Sequence, residues 1–406
     1  MKRSREKTLF HIWKESLRSV DPERLFRPVF RQKPVAPGSR GWLFWGKAAD
    51  RSWEVVRSHG VIRPGDLACV ITPQSQGEKT GSRFARSEFG ALKILGEHPI
   101  PGVGSLEAGR SLLEFFDGLR RRNASQLDVF LSGGASSLAW LPHLGVSLES
   151  LQSRLEQLYR KPLPIQEMNQ KRSQLCSLKA GGAANWLSRI APDVRTRVHV
   201  ISDVAPFGPE VVGSGPFWNG QTRHDVLADN EIYAHAFVRA LSGGASRTLG
   251  VGSLGSWESW IRRFEREVEE LEKSAQAVTA PVTLILAGEP QVDVPRHVSR
   301  SARGGRLAQL AGGLALSFAP LFHEGRLELL AASSDGVDGR SGGAGVNLDR
   351  ARSKLWAQKP EWTRLLAQGL SSFDCGRAWQ AIGALIPAQP TGTNVQDLVA
   401  LRWWPK

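Results

Sequence analysis

Short apolar runs that break directly into glycine, serine or aspartate constrain this chain most. They read WLFW-GKAA from Trp42, VFL-SGGASS from Val129, HVIS-DVAPFG from His199, LILA-GEP from Leu284 and LLAASS-DGVDG from Leu329. Longer helical text separates them. Continuous apolar strands followed by small polar loops and then helices indicate parallel βαβ units. Strands are expected at Trp42–Trp45, Leu67–Ile71, Val129–Leu131, Val198–Ile201, Val282–Ala287 and Leu327–Ala332. In such sheets ligands sit beyond the carboxyl ends of the strands. The pattern therefore gathers the distinctive segments on strand edges. With 406 residues the chain is long enough for two α/β domains.

Several function classes fall away. The longest apolar stretch, Leu310 to Phe322, is broken by Gly312, Gly313 and Pro320 and is too short for a bilayer span. Leu9, Ile12, Trp13, Leu17 and Val20 recur at helical spacing, which predicts an amphipathic first helix and not a signal peptide. Cys69, Cys176 and Cys375 are scattered with no CxxC pair, so neither a disulfide framework nor a zinc site is expected. A reducing, cytoplasmic setting follows. The 53 Lys+Arg exceed the 39 Asp+Glu, for a formal charge of +14. The basic residues are spread along the chain, and the densest clusters, Arg120–Arg122 and Arg262, Arg263 and Arg266, lie in helical text mixed with acids, the pattern of a solvated face. No nucleic-acid motif is visible, and the charge suits the steering of small anionic substrates.

A domain boundary is expected between Ser242 and Pro281. The text SGGASRTLGVGSLGS reads as a small-residue linker, followed by one amphipathic helix on Trp257, Trp260, Ile261, Phe264, Val268 and Leu271. The expected division is 1–250, a connector at 251–281 and a C-terminal domain at 282–406.

Individual motifs suggest chemistry. Gly41 to Lys47 satisfies GxxxxGK, yet its four inner residues are bulky and apolar, and Ala48 stands where a P-loop carries Ser or Thr. It reads instead as a strand that ends at Gly46 and delivers Lys47 to an edge, where it can meet phosphate or carboxylate as a point charge, or be a plain surface lysine. Gly133 and Gly134 let backbone amides approach an anion, and Ser136 and Ser137 are expected to cap the next helix. Asp203 follows a strand and can hold Mg²⁺, take a hydroxyl proton or simply shape a turn. Arg306, in Arg303-Gly-Gly-Arg306, can clamp phosphate or carboxylate. Asp335 and Asp338 lie on one tight turn, and Thr391, Thr393 and Asn394 could line a pocket.

In this order the motifs resemble one family over nearly the whole chain: the glycerate 2-kinases with a MOFRL-type C-terminal domain. The matching text runs from GKAA at Gly46 and HPIP at His98 through SGGASS, EMNQKRSQLCSLKAGG from Glu167 and SDV, then GSGP, GEP, GGR, DGVDG and PTGTNVQD. The resemblance implies a larger Rossmann-like αβα domain with a parallel sheet, a smaller α/β domain, and an active site in the interdomain cleft. It implies transfer of a phosphoryl group from ATP, with Mg²⁺, to the 2-hydroxyl of D-glycerate, giving 2-phosphoglycerate. Catalytic roles fall to Lys47, Asp203 and Arg306, with Asp203 also the metal ligand. Gly133, Gly134, Ser136, Ser137 and Lys179 are assigned to the nucleotide. Asn169, Arg172, Asp335, Asp338, Thr393 and Asn394 are assigned to the substrate. Small molecules are the expected partners, with no membrane or nucleic acid.

The departures concern polar groups. The family has Asn and then a nearby Glu after GGR, where this chain has Leu307 and Gln309. It has Asp-Glu-Asn-Ser after HPVP, here Gly102 to Ser105. An acid shortly after DGxDG is absent, with Gly342 in that stretch, and the threonine after SGP is Phe217. A kinase for another small hydroxy acid, or a nucleotide-binding relative with impaired catalysis, are the competing expectations.

Overall fold

In the computed structural model, which describes residues 7–31, 38–74, 84–86, 91–143, 145–159, 165–241, 244–295, 297–299 and 301–406, the apolar runs become strands of two sheets. The first contains β1 (Arg40–Trp45), β2 (Leu67–Pro73), β3 (Phe84–Arg86), β4 (Leu92–Gly96), β5 (Gln126–Ser132), β6 (Arg195–Ile201) and β7 (Arg223–Ala228), in the order β3-β4-β2-β1-β5-β6-β7. All pairings are parallel except β3 with β4. Both faces are covered, which is why Trp42–Trp45 of β1 and Val129–Leu131 of β5 read as unbroken apolar text. Leu43, Trp45, Val129 and Leu131 face one core with Leu112 and Phe116 of the helix Val103–Arg121. On the other face Phe44 and Phe130 stack at 5.0 Å and Phe26 packs on Phe130 at 4.5 Å.

One buried charge interrupts this core. Asp128 is fully buried on β5 and accepts from Arg40 of β1 (2.6 Å) and from Arg197 (3.0 Å) and His199 (3.1 Å) of β6. Lone buried carboxylates are prohibitively costly, so these three donors fix the three strands in register.

The second sheet contains β8 (Ala245–Ser253), β9 (Val282–Gly288), β10 (Leu327–Ser333), β11 (Gly343–Leu348), β12 (Leu385–Pro387) and β13 (Asp397–Trp403), in the order β12-β11-β10-β13-β9-β8. It is mixed: β8 and β9 are parallel and the other pairs antiparallel. Its core is built by Trp260, Phe264 and Val268 of the helix Trp257–Lys273 and by Leu307, Leu310 and Leu314 of the helix Arg306–Ser317.

The chain forms two compact units whose boundaries differ from the expected ones. One comprises Pro22–Ala228 with Gly392–Asn394. The other comprises the chain up to Asp21, Asp229–Thr391 and Val395–Lys406. The expected linker is largely β8, an edge strand whose glycines accommodate irregular register against β9; Ser242, where that boundary was set to begin, lies outside the described residues. The presumed connecting helix is core, not connector. Asn230, buried at the start of the helix Asn230–Ala240, donates to the carbonyl of Val395 (3.0 Å) and accepts from the Gly252 amide (2.8 Å), which ties residues from 229 onward to the second sheet. The amphipathic first helix forms over Leu9–Leu17 as its periodicity predicts, and it packs on Asn230–Ala240. The three cysteines are buried and unpaired. No helix among the described residues is long and apolar enough to cross a membrane.

Candidate active site

In the first unit, loops leaving the carboxyl ends of β1, β4, β5 and β6 converge. Gly46, at φ +131°, lies so close to Ser132 that no Cβ could be tolerated. The Lys47 amide donates to Gly133 O (2.9 Å) and the Ala48 amide to Ser132 Oγ (3.0 Å), locking the β1 and β5 loops together. This exposes the Lys47 side chain at the sheet edge, as the strand reading of the GxxxxGK text requires. A Cβ at Gly134 would stand 3.0 Å from Lys47 Cγ and 3.4 Å from His98 Cδ2. A Cβ at Gly133 would collide with the Asp203 carboxylate. Both positions suit glycine because the side chains of Asp203, Lys47 and His98 lie against their backbone.

Asp203 follows β6. The turn's Val204 amide goes to Ser202 Oγ (3.5 Å), while Asp203 Oδ2 accepts from Asn394 Nδ2 at 2.8 Å. Asn394 is 191 residues away in sequence. Gly392, Thr393 and Asn394 thus belong with Asp203, and Thr393 and Asn394 are buried.

The serines of SGGASS behave differently from expectation. The helix after β5, Ala135–Leu138, is a single turn capped by Gly134 in the left-handed region, with no side-chain cap. Ser137 Oγ donates back to Gly134 O (3.1 Å). Ser136 is gripped from outside: Arg172 Nη2 donates to its hydroxyl (2.7 Å), and Trp140 Nε1 (2.8 Å) and Lys179 Nζ donate to its carbonyl. Arg172 and Lys179 are both buried. Neither meets a carboxylate among the described residues, and Arg172 Nε has no hydrogen-bond partner there. Burial, aided by the neighbouring Arg172 charge, lowers the Lys179 pKa to about 7; its ammonium lies 4.4 Å from the Trp140 ring centroid. Beside them Asn169 Oδ1 accepts from Ser214 Oγ (2.9 Å).

The second unit holds the other residues. Arg306 opens the helix Arg306–Ser317. Its Nε donates to Asp397 Oδ2 at 2.5 Å and its Nη1 pairs with Glu289, while 36 % of the side chain stays open. Asp397 begins β13, opposite Gly288 of β9. It is fully buried, its Oδ1 has no hydrogen-bond partner among the described residues, and burial raises its pKa to about 6 against the pull of Arg306. Sequence reasoning did not single out Asp397 or Glu289. Their only signal was position, at the ends of the PTGTNVQD and GEP motifs.

The acids of DGVDG serve the same helix. Asp338 is buried and accepts from the amides of Leu307 (3.1 Å) and Ala308 (2.8 Å), so it caps the helix that carries Arg306. Asp335 closes its own turn, accepting from Ser333 Oγ (2.8 Å) and the Val337 amide (3.0 Å). Neither is a solvated turn residue. Asp338→Ala strands two helix amides and should lower stability by about 2 kcal/mol; Asp338→Asn, which keeps an acceptor, should lose less. Equal stability of wild type and Asp338→Ala in urea unfolding would refute the capping role.

Three departures acquire a physical reading. Leu307 lies in the hydrophobic core, and Gln309 Nε2 donates to Leu370 O (2.9 Å). Where Gly102–Ser105 lacks first-turn acids, Glu97 supplies the carboxylate, accepting from the Gly104 and Ser105 amides (3.0 and 2.8 Å).

Residues 8–246 match the family model described as "Domain of unknown function (DUF4147)", and residues 282–397 match the MOFRL family. The chain is 28 % identical to the D-glycerate 2-kinase of Thermotoga maritima, with 98 % of each chain covered. It is 24 % identical to a glycerate 2-kinase of Picrophilus torridus, covering 96 % of this chain and 94 % of that one. The crystal structure of a Thermotoga maritima glycerate kinase shares the fold, with a TM-score of 0.75 at 24 % identity over 97 % of this chain and 98 % of that one. The ordered motifs, the two sheets and these matches together place the chain in the DUF4147 family with a C-terminal MOFRL domain, the family of the glycerate 2-kinases.

Proposed function

We propose that the protein transfers the γ-phosphoryl group of ATP to the 2-hydroxyl of D-glycerate, giving 2-phosphoglycerate and ADP. The observation that carries this reading is the pair of buried basic side chains, Arg172 and Lys179, bonded to the glycine-loop residue Ser136 with no neutralising acid among the described residues. Buried charges are normally paired. Here the missing counter-charge is supplied by an anionic ligand, a phosphate of the nucleotide or the carboxylate of glycerate. The names of the relatives select the kinase reading from the anion-binding ones.

Phosphoryl transfer needs positioning and neutralisation of charge on the moving group. A bond forms between the glycerate oxygen and the γ-phosphorus as the bond to the β-phosphate oxygen breaks. Asp203 accepts the hydroxyl proton, held in place by Asn394. Lys47 and Arg306 supply positive charge, and Gly133 and Gly134 admit the phosphates to the backbone. Among the described residues no cluster of three or more His, Cys, Asp or Glu could hold a metal. Asp203 is the carboxylate that would hold a Mg²⁺ brought in with the nucleotide. When bound, the ion would neutralise phosphate charge. Asp335 and Asp338 support the substrate side by fixing the Arg306 helix and its neighbouring turn.

Lys47→Ala should lower kcat/KM by about 10²-fold, the cost of one preorganised charge-stabilising donor, without unfolding the protein. Steady-state rates with ATP and D-glycerate test this; near-normal turnover would return Lys47 to the role of a surface lysine. The cation pair also predicts proton uptake. Lys179 in the free protein is half-protonated near pH 7, and an anion beside it favours the charged form. The bound pKa is then higher than the free one, so affinity is full below pH 7 and falls as pH rises above it, by at most about tenfold per unit. Calorimetry of ATP binding between pH 7 and pH 9, in buffers of different ionisation enthalpy, should show proton uptake that disappears in Lys179→Met. Uptake unchanged in that variant would remove Lys179 from the site.

A further inference from the structure

The helix Trp257–Lys273 carries a second set of arginines that the proposed reaction does not use. Arg262, Arg263 and Arg266, with Leu254 and Ser259, line a groove of about 550 Å³. Their text reads as a solvated face of mixed charge, and Arg262 and Arg266 are indeed exposed, with Glu265 and Glu269 beside them. In the other basic cluster, Arg120 and Arg121 both reach Asp117 (2.7 and 3.1 Å). On this helix the nearby acids Glu267 and Glu270 are taken by Arg247 (3.2 and 3.9 Å). Among the described residues none of the three groove arginines forms an ion pair, and only Arg263 makes a side-chain hydrogen bond, to Ser253 Oγ at 3.4 Å. Like charges at i and i+4, as in Arg262 and Arg266, repel one another until something neutralises them.

We propose that this groove binds a small phosphate-bearing anion and adjusts the site around Arg306. Guanidinium groups grip phosphate oxygens through paired N–H donors, and three arginines line this groove. Glu265 and Glu269 line the same groove and lower its net charge, which selects a small ligand over an extended polyanion such as a nucleic acid.

The connection to Arg306 runs through Ser253. Its hydroxyl meets Arg263, and its carbonyl accepts the Glu289 amide at 3.0 Å. Its backbone also lies against Gly288 with no room for a Cβ. Glu289 pairs with Arg306, and Gly288 lies opposite Asp397 in the sheet. An anion that draws Arg263 away from Ser253 therefore acts on the strand end that holds both carboxylates of Arg306.

The test uses the full-length protein with its reaction site filled by a non-hydrolysable ATP analogue and D-glycerate, and inorganic phosphate as the probe in calorimetric titrations. Wild type should bind phosphate with a Kd below about 1 mM. The double variant Arg262→Ala/Arg266→Ala should weaken this at least about tenfold. Both arginines are exposed, and circular dichroism verifies folding; Arg266→Gln provides a milder second variant with an intermediate loss. Saturating probe should change wild-type kcat/KM about twofold or more and leave the double variant unaffected. Binding that is absent in wild type or equal in the double variant would overturn the site. Binding without any change in turnover would overturn the link to Arg306.

Discussion

Asp203→Asn should abolish most turnover, by about 10³-fold, and leave ATP binding nearly intact. The substitution is isosteric, and the carbonyl of an asparagine still accepts the 2.8 Å bond from Asn394. Gly133 would still fit against the side chain. What is lost is the negative charge: an amide is a poor magnesium ligand and no base. A residue that only shaped the turn would predict the opposite result, because asparagine serves a turn about as well as aspartate. Calorimetry of ATP binding beside steady-state rates separates the two. Full turnover in Asp203→Asn would remove the residue from the chemistry.

Arg306→Lys should cost about 10²-fold in kcat/KM despite conserving charge. The guanidinium is held at two points, by Asp397 through Nε and by Glu289 through Nη1. The hold fixes the plane of the group and leaves its open portion to meet an anion. An ammonium cannot bridge two carboxylates in that geometry and still present a planar donor pair. The substitution also leaves Asp397, fully buried and with one oxygen lacking a hydrogen-bond partner among the described residues, without its bond from Nε. Stability should fall modestly, and the fall in kcat/KM should exceed what unfolding explains. Thermal unfolding and kinetics measured on the same preparation distinguish these effects; wild-type kinetics in Arg306→Lys would show that the clamp is not needed.

The sequence was informative where chemistry and backbone coincide. The unbroken apolar runs of β1, β5, β6, β9 and β10 announced buried strands, and their terminal glycines, serines and aspartates marked the loops that carry Lys47, Asp203 and the Gly133–Gly134 turn. Other elements depended on tertiary context. β8 is rich in glycine and serine and has no apolar signature, because it pairs on one side only and its exposed residues need no core. The division into units was hidden for a related reason. Asn230 looks like an ordinary helix-start residue until its side chain is seen bridging Gly252 and Val395.

The site shows the same limit. Ser136 and Ser137 have the composition of helix caps, yet they lie inside a helix one turn long, and Ser136 instead receives Arg172 and Lys179. Asp338 reads as a surface turn acid until the helix it caps is in place. Asp397 and Glu289 acquire meaning only when β9 and β13 pair and set both beside Arg306. Residue type and local spacing carry none of that information.

The central claim is phosphoryl transfer from ATP to a small hydroxy acid, and its most direct measurement is the reaction itself. Purified protein with ATP, Mg²⁺ and a panel of small hydroxy acids should release ADP fastest with D-glycerate. ³¹P NMR should place the new phosphate on the 2-oxygen, and Lys47→Ala and Asp203→Asn should each suppress it. Intact ATP binding with no ADP release on any hydroxy acid would contradict the account and identify the protein as a nucleotide-binding relative without kinase activity.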